Sequence, residues 1–186
     1  MLRAYFAKMY RLILRHVLAP RCSSKYHAHS MSGTVSLPQA KTDPSWKIAI
    51  VRSSWHPECT DAMHQDATKE LRRLGIPAKN ISDIVVPGSF EIPLACQEAI
   101  IGKNADGVIA LGVIVQGQTH HARLIAEQAA AGIMQVQLMT ATPIMFEILF
   151  VDRLADARKR AIGKSGKGAL AARTLITTLA KLKQLR

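Results

Sequence analysis

The chain has 186 residues, 48% of them hydrophobic and 20% charged, with a formal charge of +12, which leaves room for one ordinary domain with a buried core plus a tail. No apolar run reaches the roughly 20 residues that a transmembrane helix needs. The three cysteines, Cys22, Cys59 and Cys96, are odd in number, lack a CxxC pair and have no clustered histidine, so they read as reduced thiols and support neither a disulfide frame nor a metal site.

Residues 1–46 carry Arg3, Lys8, Arg11, Arg15, Arg21, Lys25 and Lys41 against the single acid Asp43, so half of the positive excess sits on the first quarter of the chain. Leu2, Phe6, Met9, Ile13 and Val17 recur at helical spacing, with Lys8, Arg11 and Arg15 on the opposite face. An amphipathic, basic, acid-free start of this kind reads as an organelle transit peptide, most simply mitochondrial. The plainer alternatives are a disordered tail on a cytoplasmic protein and a start at Met31. This extension is set apart from a folded domain over residues 47–186.

From Lys47 the pattern is regular. KIAIVR (47–52) predicts a strand, and Pro57 opens a polar helical segment that runs to about Leu74 and stops at Gly75. ISDIVV (81–86) predicts a second strand, closed by Pro87-Gly88 and followed by the helix FEIPLACQEAII, with Pro93 in its first turn. DGVIALGVIV (106–115) is a third strand, apolar on both faces, and a helix rich in Ala and Gln runs from about Thr119 to Met139. PIMFEILF (143–150) is a fourth strand, and helices follow over 153–162 and 168–185. Alternating strands and helices, with strands apolar on both sides, predict a doubly wound α/β fold whose four-stranded parallel sheet has helices on both faces.

In such a sheet the ligand sits beyond the carboxyl ends of the strands. Those ends here are RSSWHP, PGSFE, VIVQGQTHH and the Phe146–Phe150 region. Trp55 next to polar residues suits stacking on a flat heterocycle as well as it suits the core. Glu91 near a helix start is favoured by the dipole and is also an acceptor for ring N–H groups. The helix start after Gly117, Gln118 and Thr119 suits an anion and disfavours a second positive charge, so a histidine there is available as a base. Neighbours on a helix point about 100° apart, so His120 and His121 cannot both face one site.

GKSGKG (163–168) invites a phosphate-loop reading, but position 158, where that loop needs its first glycine, is arginine, and the run follows a helix rather than a strand. Arg160, Lys164 and Lys167 remain suited to a single phosphate monoester, or are a solvated basic helix end.

Taken together, VPGSFEIPLA (86–95), LGVIVQGQTHHARLI (111–125), AAAGIMQVQL (129–138) and TPIMFEIL (142–149) resemble the lumazine synthase family, the penultimate enzymes of riboflavin synthesis. The resemblance spans Lys47 to about Leu182. It implies a three-layer flavodoxin-like sandwich, pentamers or shells of twelve pentamers, no cofactor, and condensation of 5-amino-6-(D-ribitylamino)uracil with 3,4-dihydroxy-2-butanone 4-phosphate. It further implies that Trp55 stacks on the pyrimidine and that Ser89, Phe90 and Glu91 bind its ring and ribityl chain. Val113, Ile114 and Val115 would offer backbone groups to the same substrate, and Phe146 would close over the ring from an adjacent subunit. Gln118, Thr119 and Arg160 would hold phosphate, with Lys164 or Lys167 as a further cation, and His121 would be the catalytic histidine. Association with riboflavin synthase is a further implied partnership. Gln116, Arg123 and Glu147 stand where the family usually has arginine, an acid and glycine.

Two other classes each fit one feature of the sequence. A nucleic-acid binder fits the basic charge, but no basic and aromatic interleaving or reader motif is present. A catalytically idle relative that binds flavin or builds shells fits the departures at Gln116, Arg123 and Glu147.

Overall fold

A computed structural model describes residues 41–163 and 166–186. The expected leader helix, Cys22 and Lys164 lie outside the described residues. The elements are β1 (Ile48–Ser53), α1 (Pro57–Arg73), a 3-10 turn (Ala78–Asn80), β2 (Ile81–Val86), α2 (Ile92–Ile101), β3 (Gly107–Val115), α3 (His121–Thr140), β4 (Ile144–Val151), α4 (Leu154–Ala161) and α5 (Lys167–Leu185). The four strands form one parallel sheet in the order β2-β1-β3-β4.

Period-2 alternation divides the core into two layers. Ile48 and Ile50 of β1, with Ile109, Leu111 and Val113 of β3, pack under α1, α4 and α5. Ala49 and Val51, with Val108, Ala110 and Ile114, pack under α2 and α3. Because β1 and β3 are central, both of their faces are covered, which is why they read as continuous apolar runs. Cys59 and Cys96 are free and buried in opposite layers. Burial pushes the Cys96 thiol up to about 12.

The expected element bounds shift by one or two residues, and two shifts matter for the site. The helix expected from Phe90 begins at Ile92, because Pro87 to Phe90 make the turn and Glu91 is the N-cap. The helix expected from Thr119 begins at His121, with His120 as its N-cap. Thr119 stays outside the helix, and its Oγ1 accepts a long hydrogen bond from the His121 N–H at 3.4 Å.

Helices α1 and α5 approach closely at Gly168. A Cβ there would collide with the Met63 carbonyl oxygen of α1, so this contact requires glycine. The same pair is tied by Glu70, whose carboxylate accepts from Arg73 at 2.8 Å and from Arg173 of α5 at 3.1 Å. These bonds, Arg73 first, hold the Glu70 carboxyl below its ordinary range against the opposing effect of burial. Among the described residues no helix is long and apolar enough to cross a membrane.

Candidate functional site

Two consecutive crossovers leave in opposite directions between β1 and β3, the switch point at which a crevice opens beyond the strand ends. The register shows how it is lined. β1 pairs with β3 only as far as Arg52 opposite Leu111, whereas β3 continues beside β4 to Val115 opposite Val151. Residues Gly112 to Val115 therefore pair with β4 on one side and face no strand on the other. Their side chains at Val113 and Ile114 are buried, so this stretch of β3 offers main-chain groups to the crevice.

The β1 exit is short. His56 takes a left-handed backbone (φ 55°) and its carbonyl accepts from the Cys59 N–H at 2.9 Å, starting α1 within three residues of the strand. That turn leaves Trp55 66% exposed. Ser54 fastens the neighbouring exit: its N–H donates to the Val86 carbonyl at 2.9 Å and its hydroxyl to the Pro87 carbonyl at 2.8 Å.

Gly88 lies between Trp55 and Glu91. A Cβ built on it would stand 2.9 Å from Glu91 Oε2 and 3.9 Å from Trp55 Cδ1, so indole, peptide and carboxylate share one small space. Ser89 is buried, with its Oγ 2.7 Å from where a Gly112 Cβ would be, which brings the β2 exit against β3. Phe90 is 59% exposed beside it. Trp55, Ser89 and Glu91 thus gather by the β3 end, with an aromatic face, a carboxylate and main-chain donors and acceptors, and Phe90 follows them in the chain. A planar heterocycle rich in N–H and C=O groups matches that set.

At the β3 exit Gln116 binds the loop. Its main-chain N–H donates to the Val151 carbonyl at 2.8 Å, and its Nε2 donates to the carbonyls of Gly117 and Thr119 at 2.8 and 3.0 Å. Loop carbonyls are thereby engaged, while Gln118, Thr119, His120 and His121 remain exposed at the start of α3. The arrangement favours an anion. His120 is the N-cap rather than a helical residue, so the 100° helical argument does not separate the two rings, and both are exposed.

Among the described residues Arg160 and Lys167 have their recorded partners outside this cluster, and Phe146, expected from an adjacent subunit, lies at another level of the sheet. Phe146 belongs to the stretch expected at the carboxyl end of its strand, but it pairs with Ala110, five residues before the Val115 and Val151 level. At about 3.3 Å per residue it lies roughly 16 Å back along the strand, on the far edge of the sheet, 41% exposed. Arg160 is exposed near the end of α4 and donates to the Asp156 carbonyl at 2.9 Å. Lys167 faces Glu147 of β4 at 3.9 Å. Burial raises the Glu147 carboxyl above its ordinary range, and Lys167 only partly offsets that. Nothing in PIMFEILF signals that Glu147 faces Lys167 at the start of α5. The role of Gly112 was also missed, since its signal is the strand register, which a single sequence does not carry. Among the described residues no group of three His, Cys, Asp or Glu could hold a metal ion.

A sequence model of the 6,7-dimethyl-8-ribityllumazine synthase family matches residues 45–183. Several proteins bearing that name are similar to this chain. The one from Desulfovibrio desulfuricans is 33% identical over 140 residues, covering 75% of this chain and 90% of the relative. The one from Levilactobacillus brevis is 37% identical over 140 residues, covering 75% and 89%. The one from Cytophaga hutchinsonii is 38% identical over 135 residues, covering 72% and 85%.

Proposed function

The chain belongs to the 6,7-dimethyl-8-ribityllumazine synthase family, and from that premise we propose that it condenses 5-amino-6-(D-ribitylamino)uracil with 3,4-dihydroxy-2-butanone 4-phosphate, releasing phosphate and water, in riboflavin biosynthesis. The observation that carries this reading is the crevice at the β1/β3 switch point, where Trp55, Glu91 and the backbone of residues 112–115, open on its β1 side, come together. A pyrimidinedione stacks on the indole and gives its ring N–H groups to Glu91 and main-chain carbonyls. Ser89 and Phe90 border the ribityl chain.

In this reading the butanone phosphate lies at Gln118 and Thr119, against the start of α3, with Arg160 and Lys167 or Lys164 as cationic partners. His121 moves the protons as the amine adds to the ketone and phosphate is eliminated. Holding two reactive partners together supplies much of the acceleration, and no cofactor takes part. The level of Phe146 fits a residue that closes the site of an adjacent subunit. Exposed apolar residues on α2 (Leu94, Ile101) and α3 (Leu124, Met134, Leu138, Met139) fit the surfaces of an oligomer of five or more chains. The test is to incubate the purified chain with both substrates and follow lumazine fluorescence together with phosphate release. Equal amounts of both products are expected. Absence of product from a chain that still binds flavin overturns the reading in favour of an idle relative.

A further inference from the structure

At the opposite, amino-terminal end of the sheet, three lysines from three separate segments border one cavity of about 140 Å³. Lys47 precedes β1, Lys79 lies in the 3-10 turn before β2, and Lys103 follows α2; Asn80 and Ser82 complete the polar lining. No carboxylate is among the lining residues. Lys159, Lys167 and Lys183 face carboxylates elsewhere, whereas Lys47, Lys79 and Lys103 enter no ion pair among the described residues.

The segments that carry these lysines are fastened. The Asn80 N–H donates to the Pro77 carbonyl at 2.9 Å, and its side-chain amide donates to the Pro44 carbonyl at 2.9 Å. The Lys47 main chain is locked to Asp106 in both directions: its N–H donates to Asp106 Oδ2 at 2.7 Å and its carbonyl accepts from the Asp106 N–H at 2.8 Å. That bond occupies one oxygen of a nearby acid. After α2, Asn104 adopts a left-handed backbone (φ 55°) and the Ala105 N–H donates to the Ala99 carbonyl at 3.1 Å, which fixes the loop bearing Lys103. The cavity is thus bordered by three exposed lysines, with Asn80 and Ser82 between them and no carboxylate among the lining residues.

We propose that this cavity is a second anion site, suited to the tetrahedral oxyanion of inorganic phosphate or of a small phosphate monoester. Lysine binds phosphate as a point charge, so three ammonium groups around one oxyanion need no planar fork geometry, and the anion relieves their mutual repulsion. Strands of six residues, such as β1, separate this end from the strand-end crevice by about 20 Å. The two sites are therefore distinguishable by mutation.

The test is isothermal titration of the full chain carrying Arg160→Ala, which weakens the strand-end site, against matched ionic strength in chloride. One arm uses inorganic phosphate and the other glycerol phosphate, which reports whether an ester substituent is accommodated. Retained binding of one phosphate group per chain is expected in at least one arm. On the same background Lys79→Ala with Lys103→Ala weakens it by about tenfold or more, while the paired arginine replacements keep it. No retained binding, or binding unchanged by loss of both lysines, overturns the proposal. The outcome is independent of whether the chain makes lumazine.

Discussion

His121 opens α3 and His120 caps it, and both imidazoles are exposed. If His121 is the proton carrier, His121→Ala lowers kcat by about 10²–10⁴, whereas His120→Ala changes it by less than about tenfold. Steady-state kinetics on both variants check this, and the reverse order contradicts the assignment. Glu147 gives a second residue-scale expectation. Its carboxyl is raised by burial, Lys167 notwithstanding, so the folded chain binds this proton more tightly than the unfolded one. Stability from that proton is present below the unfolded carboxylate range and is lost as pH rises through the raised folded value. Glu147→Gln therefore raises the melting temperature at neutral pH by roughly 2–4 °C, about 1 kcal/mol, and the advantage closes below about pH 4. Thermal unfolding across pH measures it. The place of Trp55 and Glu91 at neighbouring strand exits was legible in the sequence because Pro57 and Pro87-Gly88 mark where β1 and β2 give way. Glu147 and Gly112 were not, because their meaning depends on which strands lie alongside.

Element boundaries came close because periodicity and punctuation agree: Pro57 and Gly75 bracket α1, and Pro87-Gly88 ends β2. Loop length was harder to read. PGSFE and QGQTH contain residues that a helix accepts, yet they form turns fixed by Ser54 and Gln116 hydrogen bonds, which are tertiary facts. The contact of α1 with α5 through Gly168 was likewise invisible, since GKGAL resembles any flexible helix entry. Gly168→Ala places a methyl group against a main-chain oxygen that cannot rotate away, so it destabilises the fold by about 3 kcal/mol, the upper end of overpacking. Urea unfolding with an unchanged m-value and a lower midpoint is the expected signature.

On the scale of the molecule, the sheet class was readable from strands apolar on both faces, but the order β2-β1-β3-β4 was not, because one chain does not record which strand exits lie side by side. That order is what opens the crevice. The same register sets Phe146 roughly 16 Å behind the level of its own chain's crevice, and Arg160 has no hydrogen bond or ion pair to Gln118, Thr119 or His121 among the described residues. If each site takes His121 from one chain and Arg160 from the next, two crippled chains can repair one another. Assembled together in equal amounts, His121→Ala and Arg160→Ala chains form about a quarter of their junctions with both functional halves intact. Such mixtures recover about that fraction of native turnover, whereas neither variant alone does. Sites built within single chains would give no recovery at all. With sites shared in that way, the assembly rather than the polypeptide would be the unit on which a damaging substitution acts.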